Sequence, residues 1–168
     1  MRDSLKNLLI YKKAEEIFQL TDALIKTLPA DDELLQETTV RFMLEDAMII
    51  PVKISGAEAV ELYDLKMENA AIIRKAAREL YVRAGSLQYE DKVENKEYIE
   101  LLRNEIEAFR LLFIDWVAEF DAWSYIIDRW GLFNPPGVSA HDKDPDDDIP
   151  FNPDDFFEGM NSDDSEED

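Results

Sequence analysis

Four glutamates, Glu61, Glu68, Glu100 and Glu107, are the side chains whose type and helical context first suggest chemistry. Carboxylates facing one another inside a helical bundle can bridge a pair of iron or manganese ions, but that arrangement also draws a Glu-x-x-His pair from each of two helices. The one histidine is His141, and no glutamate precedes a histidine by three positions. The four acids are therefore expected on solvated helix faces, with no metal and no cofactor. The same shortage removes Ser-His-Asp chemistry. There is no cysteine, hence no disulfide frame, thiolate metal site or Cys nucleophile. Neither a G-x-x-x-x-G-K-[ST] loop nor a G-x-G-x-x-G turn occurs. The expectation is a protein that is not an enzyme.

Binding is the remaining chemistry. Arg74, Lys75, Arg78 and Arg83 follow one another along one helical stretch, and Lys6, Lys12 and Lys13 lie on the first. Such charges commonly only solvate a helix face; the alternative is a phosphate-binding patch of Lys13, Arg74, Arg78 and Arg83 that would engage nucleic acid. The charge balance opposes that use. Lys plus Arg is 18 against 39 Asp plus Glu, for a formal charge of -21. From Asp142 onward lie 13 of those acids and one of the bases, about -12, leaving 26 acids and 17 bases, about -9, for the first 141 residues. Such a surface repels phosphates in general. Asn69 and Arg74 are polar residues in an otherwise apolar stretch; Asn69 is expected to be hydrogen-bonded and Arg74 partly buried and paired.

The elements that position these residues are read from hydrophobic spacing. Ile99, Leu102, Ile106, Phe109, Phe113, Trp116, Phe120, Trp123, Ile127 and Trp130 recur at alternating three and four positions, which predicts one helix from Lys96 to Trp130. A first helix is expected from Asp3 or Ser4 to Leu28, with Ile10, Ala14, Ile17, Thr21, Leu24 and Leu28 on one face, closed by Pro29. A second follows through Leu35, Phe42, Ala47, Met48 and Ile50, and Pro51 should bend or end it. Ser55 and Gly56 supply the next reversal. A third helix, Ala57 to about Ala84, is apolar on most of its circumference and is expected to be the most buried, with Gly85 ending it. Short connections between four long helices imply an all-α, up-down-up-down four-helix bundle over residues 1–138.

The fourth helix would span about 52 Å against about 37 to 42 Å for the first and third. Its last turns, with Trp123, Tyr125, Ile127 and Trp130, would overhang the bundle. Either they form an interface between copies of the chain or a bend folds them back. Leu132 to Val138 read as a rigid Pro-rich clasp, and residues 139–168 as a disordered acidic tail. The apolar run Leu8 to Tyr11 is shorter than a signal-peptide core, and no run approaches 18 residues, so a cytoplasmic protein with no membrane contact is expected.

Tyr11, Lys13, Ala14 and Glu16 with Leu28-Pro29, then Ile50-Pro51 with Ile54 and Gly56, and finally Ala84-Gly85-Ser86-Leu87, resemble segments of the 23S ribosomal-RNA intervening-sequence proteins, a family of small four-helix bundles. The resemblance covers roughly residues 5 to 120. By kinship it extends to the accessory variability protein of diversity-generating retroelements, a basic pentameric barrel that works with a reverse transcriptase. It implies a ring-like homo-oligomer, a pentamer by that kinship, acting as a scaffold. Leu44, Glu45 and Asp46 stand where the family has adjacent arginines, and Lys53 where it has Asn. In the tail, Asp146, Asp147, Asp148, Ile149, Pro150 and Phe151 resemble the acidic tip of bacterial single-stranded-DNA-binding proteins, and Asp154, Asp155, Phe156 and Phe157 repeat its acidic-aromatic character. That resemblance implies a tail that docks a protein partner. Together these point to an oligomeric accessory or scaffold protein in nucleic-acid metabolism.

Overall fold

The apolar stripes fold into four long helices in the computed structural model, which describes residues 5–91, 93, 94, 96–144 and 148. They are α1 (Leu9–Ile25), α2 (Arg41–Glu58), α3 (Tyr63–Ser86) and α4 (Lys96–Ala118), and the described residues form no strand. The protein is all-α. Neighbours in sequence pack together, α1 on α2, α2 on α3 and α3 on α4, and α4 closes back on α1.

In α1 the expected stripe is the buried one: Ile10, Ala14, Ile17, Thr21, Leu24 and Leu28 all lie in the core. Thr21 is admitted because its Oγ1 donates to the Ile17 carbonyl at 2.8 Å, which leaves no bare hydroxyl there. The helix stops at Ile25 rather than Leu28, and of the three residues that lead to Pro29, Thr27 and Leu28 donate to the carbonyls three positions back, Leu24 and Ile25. A cap at Asp3 or Ser4 lies outside the described residues. Asp32 caps the next start by accepting from the Leu35 amide at 3.1 Å. One α-turn (Glu33–Leu35) and a π-helical turn (Gln36–Val40) then lead straight into α2.

Pro51 and the Ser55-Gly56 pair do not end α2, which continues to Glu58. Ala47, Ile50, Ile54 and Ala57 are fully buried on both sides of the proline, and that burial outweighs one missing backbone bond, a cost of about 3 kcal/mol. Gly56 serves packing instead of a turn. A Cβ there would meet Asn69 Oδ1 at 3.2 Å, so its absence lets α2 and α3 approach. The reversal falls at residues 59–62, where Lys66 Nζ donates to the Ala57 carbonyl at 3.0 Å. Gly85 likewise does not stop α3; a Cβ there would lie 3.3 Å from the Arg103 guanidinium. Nor is α3 buried on most sides: Ala70, Ile73, Ala76, Ala77, Leu80 and Ala84 form one inward stripe, while Leu65 and Val82 face solvent.

The largest departure is in the fourth helix, which ends at Ala118. Its 23 residues span about 35 Å, matching the 24 of α3 at about 36 Å, so there is no overhang. At that point the rings close the end of the core. Trp116 meets Phe120 edge-on at 4.8 Å, and Lys66 sits 5.2 Å over the Phe120 ring. Asp121 then takes the Trp123 amide on its side chain at 2.9 Å, an Asx turn that competes with helical bonding. The chain folds back in part: the Tyr63 amide donates to the Ser124 carbonyl at 2.6 Å and Ile127 is buried, while Trp123 and Trp130 stay exposed.

Candidate interaction surface

Beyond α4 the chain is irregular, yet its backbone is well tied. Asp128 is the knot. Its Oδ1 accepts from the Trp130 amide at 2.8 Å, and its Oδ2 from the amides of Leu132 at 2.8 Å and Phe133 at 2.9 Å. Asn134 grips the same residue from the other side, accepting from the Asp128 amide at 2.8 Å and donating to its carbonyl at 2.9 Å. Gly131, at φ 75°, makes the left-handed step that this loop needs. The Phe133 amide foremost, with those of Trp130, Leu132 and Gly131, holds the Asp128 carboxyl below its ordinary value. Further along, Arg129 Nη1 donates to the carbonyls of Ala140 at 3.0 Å and Asp142 at 2.6 Å. The hydrogen-bonded stretch thus runs past residue 138.

This stretch sorts the four expected interface residues. Trp123 and Trp130 are 90% and 92% exposed, Tyr125 is half-buried, and Ile127 is buried. Leu132 and Ile126 add exposed apolar surface. Two indoles held out by a fixed backbone can bury much area on a partner while losing little freedom. Sequence spacing put Trp123, Ile127 and Trp130 on one helix face, with Tyr125 in the same turns; the Asx turns at Asp121 and Asp128 break that helix. The Asp-rich punctuation of this stretch was the signal that could have found those turns.

The basic residues fall in two places. Lys13, on α1, is gripped by Glu16 at 2.5 Å and by Glu105 of α4 at 2.6 Å, and Glu105 foremost raises its ammonium above the usual value. Arg74, Arg78 and Arg83 border one shallow cleft of about 600 Å³ along α3. Arg83 is committed to Asp46 of α2 and to Glu79 at 3.2 Å, with Phe42 5.2 Å from its guanidinium. Contrary to expectation, Arg74 is exposed, and among the described residues neither it nor Arg78 has an ion-pair partner. Asn69 is hydrogen-bonded as expected, donating to the Leu65 carbonyl at 2.9 Å.

The Asp46 pairing has no signal in the sequence, since an acid five places before a proline says nothing of burial. Asp46 is 9% exposed, and burial pushes its carboxyl up to about 6 against the opposing pull of Arg83. Glu61, Glu68, Glu100 and Glu107 are all exposed. Among the described residues no group of three His, Cys, Asp or Glu side chains could hold a metal ion, and no helix is long and apolar enough to cross a membrane. Asp148 is exposed; the other tail residues singled out, Asp146, Asp147, Ile149, Pro150, Phe151, Phe156 and Phe157, lie outside the described residues. Comparison of the chain with protein-family models, with curated proteins and with solved structures finds no match in any of the three.

Proposed function

We propose that the protein is a non-enzymatic, homo-oligomeric accessory or scaffold protein of the cytoplasm, built as an up-down-up-down four-helix bundle. In this reading it self-associates through the aromatic stretch after α4 and presents its acidic-aromatic tail to a protein partner, in the setting of nucleic-acid metabolism. The closed order of helix packing supports the bundle. One observation carries the functional reading: Trp123 and Trp130 stand more than nine-tenths exposed on a loop whose backbone is fixed by Asp128 and Asn134. Large apolar side chains scattered on a surface are ordinary, but two indoles on a pre-organised loop form the kind of anchor that dominates interface energetics.

The competing reading is a nucleic-acid module using Lys13, Arg74, Arg78 and Arg83. Exposure of Arg74 and Arg78 favours it; the carboxylates that hold Lys13 and Arg83 oppose it. A salt titration of the full chain with structured RNA and with single-stranded DNA separates the two. The scaffold reading predicts no binding even at low salt. Binding that weakens with salt, and is lost in an Arg74→Glu, Arg78→Glu variant, would replace it with the nucleic-acid reading.

A further inference from the structure

A second cleft, of about 80 Å³, opens between α3 and α4. Its floor is apolar, with Ile106, Phe109 and Ala77 buried and Phe113 and Tyr81 half-buried. Its rim is cationic: Arg74 and Arg78 from α3 and Arg110 from α4, against one acid, Glu107, which pairs with Arg110 at 2.8 Å. The rim therefore keeps about two positive charges on a chain whose total is -21. A greasy floor under a guanidinium rim suits a ligand with an aromatic side chain flanked by carboxylates. Guanidinium forks take carboxylates in paired hydrogen bonds and also stack on rings.

We propose that this cleft is a docking site for an acidic-aromatic peptide and that its occupant is the chain's own residues 154–158. That segment reads Asp154, Asp155, Phe156, Phe157, Glu158: two rings with carboxylates before and after. A volume of 80 Å³ is about half that of a cavity known to take a benzene ring, so it admits the edge of one phenyl and leaves the second on the rim. The reach fits. The stretch after α4 is tied to the start of α3 through Tyr63 and Ser124, and Arg74 lies eleven residues along α3 from Tyr63, about 16 Å. From Asp144 to Asp154 is ten residue steps; a flexible chain of that length spans about 16 to 19 Å on average and about 33 Å at full extension. Tethering at this length holds the segment near the cleft at millimolar effective concentration, so a weak contact is still populated. Nucleic acid would have to approach the same rim against the charge of the whole chain. Any outside partner of this segment must then compete with the cleft for it. The inference does not depend on the scaffold reading, because it needs neither self-association nor a partner.

Backbone ¹⁵N relaxation of the full chain tests it, recorded across a range of protein concentrations. Docking predicts order parameters at 154–158 well above the flexible limit of about 0.6, falling below it in the Arg74→Glu, Arg78→Glu variant and in a Phe156→Ala, Phe157→Ala variant. Arg74 and Arg78 are exposed, and Phe156 and Phe157 lie beyond α1–α4 in the sequence, so the helix content of the bundle by circular dichroism should not change. Adding Asp154→Arg and Asp155→Arg to the first variant should restore the order. Unaltered dynamics at 154–158 on charge reversal of the rim would overturn the proposal, as would order lost on dilution, which places the segment on a second copy. Release by Phe151→Ala but not by the Phe156, Phe157 pair would overturn the choice of segment, and an RNA oligonucleotide bound at the rim would overturn the choice of ligand.

Discussion

Ile99 to Trp116 and Phe120 to Trp130 carry one unbroken pattern of large hydrophobes, yet the first half is a buried helix and the second a folded-back loop with two indoles in solvent. Both halves have helical spacing, but only the first has companion helices, α1 and α3, against which to bury it. Past Ala118 the neighbours have ended, and the carboxylates of Asp121 and Asp128 offer the backbone amides acceptors that a helix would otherwise supply. Periodicity marks a helix where something exists to cover its face. Where nothing does, short polar side chains decide.

Core truncation gives the largest contrast between the halves. Phe109→Ala, in α4, should destabilise the fold by about 3–5 kcal/mol, whereas Trp130→Ala should stay within about 0.5 kcal/mol. Urea denaturation of both variants measures this, and equal losses would break the comparison.

Two aspartates sharpen it. Burial in the α2–α3 seam raises the Asp46 carboxyl to about 6, while backbone amides lower that of Asp128 in the loop. A folded-state value above the ordinary 3.8 means that the native state holds the proton more tightly. Stability from Asp46 is thus fully present below pH 3.8 and is lost as pH rises through about 6. Two units at about 1.36 kcal/mol each set a scale of about 2–3 kcal/mol. Denaturation midpoints of wild type should fall from pH 4 to 7 more steeply than those of Asp46→Asn; parallel curves would remove burial as the cause. Asp128 has the opposite sign. Its contribution is present above the ordinary value and is lost as pH falls through the lowered one.

Asp128→Ala should have a smaller effect, confined to the loop, since three backbone amides lose their acceptor. Hydrogen exchange at residues 130–133 should quicken while the amides of α4 keep their protection. Equal loosening of both regions would mean that the loop is not a separate unit.

The helical core was legible wherever hydrophobic spacing met a partner face. The α1 stripe was read residue by residue, and Ile99 to Trp116 nearly so. Errors arose where a local signal competed with packing: Pro51, Gly56 and Gly85 look like helix ends in one dimension and are sites of burial or close approach in three. The reverse happened after Ala118, where a helical pattern lost to side-chain turns. Of the basic residues, sequence alone could name them but not separate Lys13 and Arg83, held by acids distant in the chain, from the exposed Arg74 and Arg78. Such pairing depends on which helices become neighbours.

Static light scattering of the full chain at micromolar concentration tests the account most directly. Wild type should have a mass that is a multiple of 19.5 kDa, and a Trp123→Ala, Trp130→Ala variant with unchanged helix content should run as a 19.5 kDa monomer. A wild-type protein already at 19.5 kDa would contradict the claim that these indoles are its interface.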